Sequence, residues 1–336
     1  MKKSDVVRLI LNGRSQHPMH EVGRAFAPTN IALCKYWGKR DAELNLPVTS
    51  SLSVSLGDKG AATELRLYDK GYDSITLNGE AVALSSPFAK RLLAFLDLFR
   101  PIPSLHFQIT IQMNVPVAAG LASSACGFAS LVLALDQLFG WQLSSEHLSI
   151  LARLGSGSAC RSMWSGFVEW EKGTEEDGMD SHGKPLSQTW PELCIGLLLI
   201  DQNEKKISSR EAMQRTMDTS LFYSLWPEKI HHDMVSIKKA IHEKDFVSLG
   251  RIAESNALTM HSLMLSAWPP ISYCVPETIA MMHEIWTLRK QGISLYFTQD
   301  AGPNLKLLFL SADMESVRLS FPMVEVINGY KLKPSE

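Results

Sequence analysis

Cysteine is scarce in this chain, with five in 336 residues and no CxxC pair among them. Cys34, Cys126, Cys160, Cys194 and Cys274 are odd in number and lie far apart. That pattern excludes a disulfide framework and a thiolate zinc site, and suits small buried hydrophobes in a reducing compartment. Long apolar runs are missing too. The longest, LCIGLLLI at 193–200, is far too short to span a bilayer and reads as a buried strand. The apolar run near the N-terminus is broken by Arg8 and followed by polar residues, so it does not read as a signal peptide. Charge of one sign is absent as well. Lys and Arg total 33 against 35 Asp and Glu, for a net charge of -2, which gives no global pull toward nucleic acid or an anionic membrane. Together these absences describe a soluble, cytoplasmic chain with no nucleic-acid or membrane partner, in which any basic function is local.

Known ligand signatures are thin. No lysine follows a glycine loop in Walker A spacing, and no GxGxxG opens a dinucleotide unit. The ten histidines lack HExxH or any comparable spacing, which argues against metal ligation by them.

What is present is an ordinary globular composition, 45% hydrophobic and 20% charged, long enough for two domains. From 24 to 111 the pattern predicts short strands: SLSVSLG, ATELRLYDKG, DSITLNGEAV and LHFQITIQMNVP. A helical segment, SSPFAKRLLAFLDLFR, interrupts them and stops before Pro101. From 123 the period turns helical, with Phe128, Leu131, Val132, Leu135 and Leu138 on one face, and a second helix is predicted over 145–154. The acidic loop KGTEEDGMDSHGKPLSQTWPE, 172–192, is the candidate boundary between domains at 1–190 and 191–336. Beyond it come helical stretches and two strand candidates near 293–298 and 305–310. Strands and helices mix without strict alternation, which predicts an α+β architecture.

Four stretches can carry chemistry. In APTNIALCKYWGKRDAELNLPVTSSLSVSL, 27–56, Lys35, Tyr36, Trp37, Lys39 and Arg40 crowd together, either as a solvated strand edge or as a clamp for an anion. In PVAAGLASSACGFASLVLALDQL, 116–138, small residues precede a helix whose first N–H groups and dipole suit phosphate. Ser123 and Ser124 there can cap the helix, bind phosphate or help hold Mg²⁺; tight packing of small residues reads equally well. GSGSACRS, 155–162, sets Ser156, Ser158 and Arg161 among glycines. It is a turn with a surface arginine, or a fork for a carboxylate or phosphate. In TQDAGPN, 298–304, Asp300 follows an apolar strand, where it either caps a turn or projects into a cleft.

Taken in order, these stretches resemble the diphosphomevalonate decarboxylase family of the GHMP kinase superfamily, over about residues 24–310. The resemblance implies the two-domain GHMP α+β fold with a cleft between its halves. It also implies ATP- and Mg²⁺-dependent decarboxylation of (R)-5-diphosphomevalonate to isopentenyl diphosphate, ADP, phosphate and carbon dioxide, within the mevalonate pathway of isoprenoid biosynthesis. A homodimer is implied by the same resemblance.

Roles follow by match of motif. Asp300 stands beside the 3-hydroxyl as base or orienting acceptor, and Arg161 grips the C1 carboxylate with Asn30 supporting it. Lys35 lies beside the reacting hydroxyl and carboxylate. Tyr36, Lys39, Ser156 and Ser158 contact the diphosphate. Ser124 is the phosphate-loop serine near the ATP phosphates and Mg²⁺, with Ser123, Gly120 and Ala119 around it and Asn114 a candidate near the adenine. Trp37 and Arg40 read as framework. Gln299 before the aspartate and Gly183 after DSH depart from the family pattern without removing a needed charge. Residues 1–23 precede the first motif and are not accounted for by it. The rival readings are a mevalonate 3-kinase, a decarboxylase of the monophosphate, or an inactive nucleotide-binding scaffold. Retention of Lys35, Tyr36, Lys39 and both serines favours the diphosphate, and intact Asp300, Arg161 and Lys35 disfavour the scaffold.

Overall fold

The structure, a computed structural model, describes residues 1–115, 123–201, 203 and 206–328. It opens with α1, Lys3–Ile10, whose Val6, Val7 and Ile10 are buried in the first core. Part of the segment left over by the motifs, residues 3–10, is thus a packed helix. Strand β1, Val22–Cys34, follows, then the small hairpin β2, Lys39–Asp41, and β3, Leu46–Pro47. Next come β4, Ser51–Leu67, β5, Ser74–Leu77, and β6, Glu80–Ala81. Helix α2, Pro87–Leu96, starts where Ser86 caps the Ala89 N–H and proline takes the first turn, a position that loses no hydrogen bond. Strand β7, Phe107–Met113, precedes α3, Ser123–Phe139, and α4, Ser145–Gly155. A 3-10 helix at Gly157–Met163 leads to β8, Phe167–Trp170, and β9, Gly183–Pro185.

Among the described residues these strands form a seven-stranded sheet in the order β6-β5-β7-β4-β8-β9, with β1 on β4. Every pairing is antiparallel except β5 with β7. Helix α3 is apolar nearly all round because it is covered on several sides, by β1 and β4, by α4 and by the 3-10 helix. The acidic loop belongs to this sheet as far as β9, since Glu171 N–H donates to His182 O and Arg153 donates to Gly178 O and Ser181 O.

The second half begins with β10, Leu193–Leu198. It continues through α5, Ser209–Thr219, α6, Trp226–Glu243, α7, Phe246–Leu265, and α8, Pro276–Lys290. Strands β11, Tyr296–Gln299, and β12, Leu305–Leu310, then α9, Met314–Ser320, and β13, Glu325–Asn328, complete it. Its sheet runs β11-β12-β10-β13, antiparallel throughout. Ser208 caps α5 and Asp245 caps α7. The two halves share apolar packing. Ile31 and Leu33 of β1, with Leu52 and Val54 of β4, belong to the same buried cluster as Trp226, Ile237 and Leu249 of α6 and α7.

One expectation is corrected. SLSVSLG and ATELRLYDKG do not form two strands; they are halves of the single strand β4. The GDKG between them resembles a turn, but the chain bends there without reversing. Gly57 takes φ +60, and β1 shifts register opposite, between Pro28 and Asn30. That irregularity needs Gly60, because a Cβ there would lie 2.1 Å from the Ala27 carbonyl oxygen. Backbone cannot move aside as a flexible side chain can. Gly60→Ala should therefore destabilise the fold by about 1–3 kcal/mol, read as a lower denaturant midpoint at unchanged slope. An unaltered midpoint would mean that β1 yields at Pro28 at no cost.

Candidate active site

Strand β1 ends at Cys34, and the next residue is a lysine whose side chain is 2% exposed. Its Nζ donates to Ala32 O and to Asp300 Oδ1, each at 2.7 Å, joining positions 265 residues apart. Its backbone N–H donates to Asn256 Oδ1 at 2.8 Å, and Asn256 Nδ2 donates to Asp233 Oδ2 at 2.7 Å. Because an ionised carboxylate only accepts, Asp233 sets which end of the Asn256 amide faces Lys35. Asp233 is paired in turn with Lys229 of the same helix.

Asp300 follows β11 and is held from three sides. His261 of α7 lies 3.2 Å from its carbonyl oxygen, through Nε2. Burial pushes the His261 imidazole down to about 4, aided by the Lys35 charge, so the ring is neutral at pH 7 and carries its proton on Nε2. Lys35 takes Oδ1, and Lys306 of β12 lies 3.5 Å from Oδ2. Burial raises the Asp300 carboxyl, but the two ammonium groups more than reverse that and hold it at about 2. Burial lowers both lysines and the Asp300 charge opposes it.

Arg161 stands on the 3-10 helix, 3% exposed. Its Nε donates to Asn30 Oδ1 at 3.3 Å and its Nη1 to Ser51 Oγ at 2.6 Å. Asn30 is oriented by giving its Nδ2 to Ser162 Oγ and Ser158 O. Strand β1 shifts register just before it, between Pro28 and Asn30. Tyr36 packs its ring 4.7 Å from Trp170, and Gly157 lets the 3-10 helix close on both, since a Cβ there would sit 2.8 Å from Trp170 and 3.0 Å from Tyr36. The Tyr36 hydroxyl is buried without a hydrogen-bond partner. Leaving it so costs about 1–3 kcal/mol that a ligand oxygen would recover.

Asn30, Lys35, Tyr36, Arg161 and Asp300 line one cavity of about 370 Å³ together with Lys39, Ser124, Ser156 and Ser158. Its mouth is cationic in a way the motifs did not reveal. Arg91 of α2 and Arg210 of α5 also line it, beside Ser208 and Ser209. Lys39 donates to Asn45 Oδ1 and Arg91 to Gly155 O, both neutral acceptors. Burial, then repulsion from Arg210, Lys3 and Arg91, lowers Lys39 to about 8, and burial with Arg210 lowers Arg91 to about 10. Like charges gathered on neutral partners are stabilised by an incoming anion. Sequence spacing held no sign of Arg91 or Arg210, which stand singly on helices far from the motifs.

Ser123 opens α3, and Ser124 Oγ lies 3.2 Å from Ser156 Oγ, which brings the helix start against the 3-10 segment. Among the described residues no three His, Cys, Asp or Glu side chains converge to hold a metal. Serine hydroxyls beside a phosphate site fit Mg²⁺ that keeps phosphate and water oxygens as its main ligands. Ala119 and Gly120 lie outside the described residues. Asn114 spends its amide on the backbone of the β4 bend, accepting from Gly60 N–H and donating to Asp58 O, and it does not line the cavity. Trp37 is 2% exposed, and Arg40 donates to Lys172 O and Glu175 O, both framework contacts.

A family model described as the diphosphomevalonate decarboxylase-like N-terminal domain matches residues 27–183. Another, the mevalonate 5-diphosphate decarboxylase C-terminal domain, matches 195–327. The diphosphomevalonate decarboxylase of Candida albicans is 36% identical over 309 residues, covering 87% of this chain and 85% of the relative. The crystal structure of mevalonate diphosphate decarboxylase from Staphylococcus aureus superposes with TM-score 0.86 at 37% identity, over 92% of this chain and 95% of that one. A structure of MDDEF in complex with MVAPP, AMPPCP and magnesium superposes with TM-score 0.84 at 38% identity, over 92% and 97% of the two chains.

The lowered Lys39 gives a pH test with a definite sign. Its ammonium predominates below about 8 and is lost as the pH rises through that value, so anion binding weakens in the same direction. Inorganic pyrophosphate binding, measured by calorimetry relative to Lys39→Arg, should fall by up to about tenfold between roughly pH 7 and 9. A constant ratio would remove Lys39 from the anion site.

Proposed function

The chain belongs to the diphosphomevalonate decarboxylase family, and from that premise we propose that it converts (R)-5-diphosphomevalonate and ATP to isopentenyl diphosphate, ADP, phosphate and carbon dioxide. The observation that carries this reading is the union in one cavity of the Lys35–Asp300 pair, the Arg161 guanidinium and the cationic mouth.

The chemistry assigns each group a task. A tertiary hydroxyl leaves poorly, so ATP first phosphorylates it. The phosphate then departs with the C–O electron pair, the C1–C2 pair becomes the new C2=C3 bond, and carbon dioxide is released. Asp300 lines the cavity and, with Oδ2 buried, its Oδ1 beside Lys35 accepts from the 3-hydroxyl. A carboxylate held at about 2 is a weak base, so its main contribution is to aim the hydroxyl at the phosphoryl group, with the proton lost as the new bond forms. Lys35 steadies that carboxylate and the negative charge that grows beside it. Arg161, its Nε and Nη1 fixed by Asn30 and Ser51, holds the C1 carboxylate in line with the orbital opening at C3. Tyr36, Lys39, Ser156 and Ser158, joined by Arg91, Ser208, Ser209 and Arg210, bind the diphosphate. Ser123 and Ser124, with Ala119 and Gly120, take the nucleotide phosphates, and Ser124 would hold Mg²⁺. When bound, Mg²⁺ supplies charge neutralisation between the phosphates.

The N-terminal domain, 1–190, carries the nucleotide side and the domain at 191–336 brings Asp300 to it. No described helix is long and apolar enough to cross a membrane. A cytoplasmic homodimer completes the reading, in keeping with the resemblance.

The direct test is an assay of carbon dioxide and ADP release with the mono- and diphosphate substrates. Equimolar release with the diphosphate is expected; ADP without carbon dioxide would make the chain a 3-kinase. Asp300→Asn should lower kcat by roughly 10²–10⁴ while ATP and substrate still bind. Retention of more than about a third of the wild-type kcat would sink the role of Asp300. Arg161→Lys keeps the charge and loses the fork, so kcat should fall about tenfold or more, near 1.4 kcal/mol. Full activity in that variant would show that charge alone suffices there.

A further inference from the structure

Lys306 belongs to none of the motifs and does not line the cavity, yet it faces the key carboxylate. It stands in the middle of the second sheet, paired with Leu197 on one side and Thr298 on the other. Its side chain is 0% exposed, its neighbours along the strand are Leu305, Leu307 and Leu308, and its Nζ lies 3.5 Å from Asp300 Oδ2 and 3.3 Å from Asn304 O. A buried ammonium in an apolar strand is costly unless it is paired, and the charge it meets here is the Asp300 carboxylate.

We infer that Lys306 is a positioning residue for the reaction: from behind, it neutralises Asp300 Oδ2 and so keeps the proton off the carboxylate whose other oxygen meets the substrate. The argument rests on the role of Asp300 given above, and on what each neighbouring charge is free to do. Lys35, at the end of β1, is divided between Ala32 O and Oδ1. Arg161, on the 3-10 helix, is turned toward Asn30 and Ser51. His261, on α7, meets Asp300 at its backbone carbonyl and is neutral at pH 7. Oδ2 is buried and accepts no hydrogen bond, so the Lys306 charge is what faces it. With that charge removed, protonation at Oδ2 becomes the cheapest way to relieve a dry anionic oxygen. A protonated Asp300 would donate where it must accept. The depressed carboxyl agrees with this division of labour, since the Lys35 and Lys306 charges both lower it.

The test is a pH profile of Lys306→Met, expressed as kcat/KM relative to wild type so that ionisation of the substrates cancels. With Asp300 raised into the assay range, the ratio should drop roughly fourfold or more between about pH 8 and 5.5. Lys306→Arg, which keeps the charge, should give a ratio that does not vary with pH. Thermal melting and pyrophosphate binding establish that each variant is folded, and Lys306→Gln replaces the methionine variant if that chain does not accumulate. A folded neutral variant with a ratio constant across the range would overturn the inference, reducing Lys306 to a structural residue. Asp300→Asn separates the two levels. If it stays active, the role of Asp300 fails; if it is inactive while the Lys306 ratio is flat, only the inference about Lys306 fails.

Discussion

Two ammonium groups and one carboxylate, Lys35, Lys306 and Asp300, share a space with little access to solvent, and much of the molecule serves to hold them there. Taking such charges out of water costs several kcal/mol per ion, and breaking the set by removing one member costs about 3–5 kcal/mol. The arrangement persists because its surroundings are built to suit it. Ala32 O and Asn256 hold Lys35, and His261 holds the Asp300 backbone. The three charges come from the end of β1, the turn after β11 and the middle of β12, so they also pin the first sheet to the second. The apolar cluster that spans β1, β4, α6 and α7 keeps that junction dry.

One positive charge is left over in the triad, and Arg161 and the mouth add more. Lys39, Arg91 and Arg210 gather there, the first two with amide and carbonyl partners in place of carboxylates. A protein that crowds cations this way carries a cost in the free state, visible in the lowered Lys39 and Arg91. An anionic substrate relieves it. The same logic explains the unpartnered Tyr36 hydroxyl, which packs against Trp170 and waits on an acceptor from outside the chain.

Much of the architecture was legible in linear order. The helical segment before Pro101, the change of period at 123 and the helix over 145–154 could be read, because amphipathicity acts over a few residues. The GDKG inside β4 misled for an equally local reason. Glycines that usually close a turn here absorb a bend, and only the register shift of the facing strand decides between the two. The candidate domain boundary fell in an acidic loop, yet the loop pairs back through β9 with β8, a contact that no local property announces.

The site divides along the same line. Lys35, Tyr36, Lys39, Arg161 and Asp300 were legible through the resemblance of their motifs to the family, since residue types alone left each stretch an ordinary strand or turn reading as well. Lys306 was not, being a single lysine in a strand of leucines, and neither were Arg91 or Arg210, each alone on a helix. By itself the sequence determined which chemical groups exist and which local turns and helix ends present them. Only the tertiary structure decided which charges meet. Electrostatic coupling between groups 265 residues apart depends on their separation in space and on how far water is excluded, and neither is a property of neighbours along the chain.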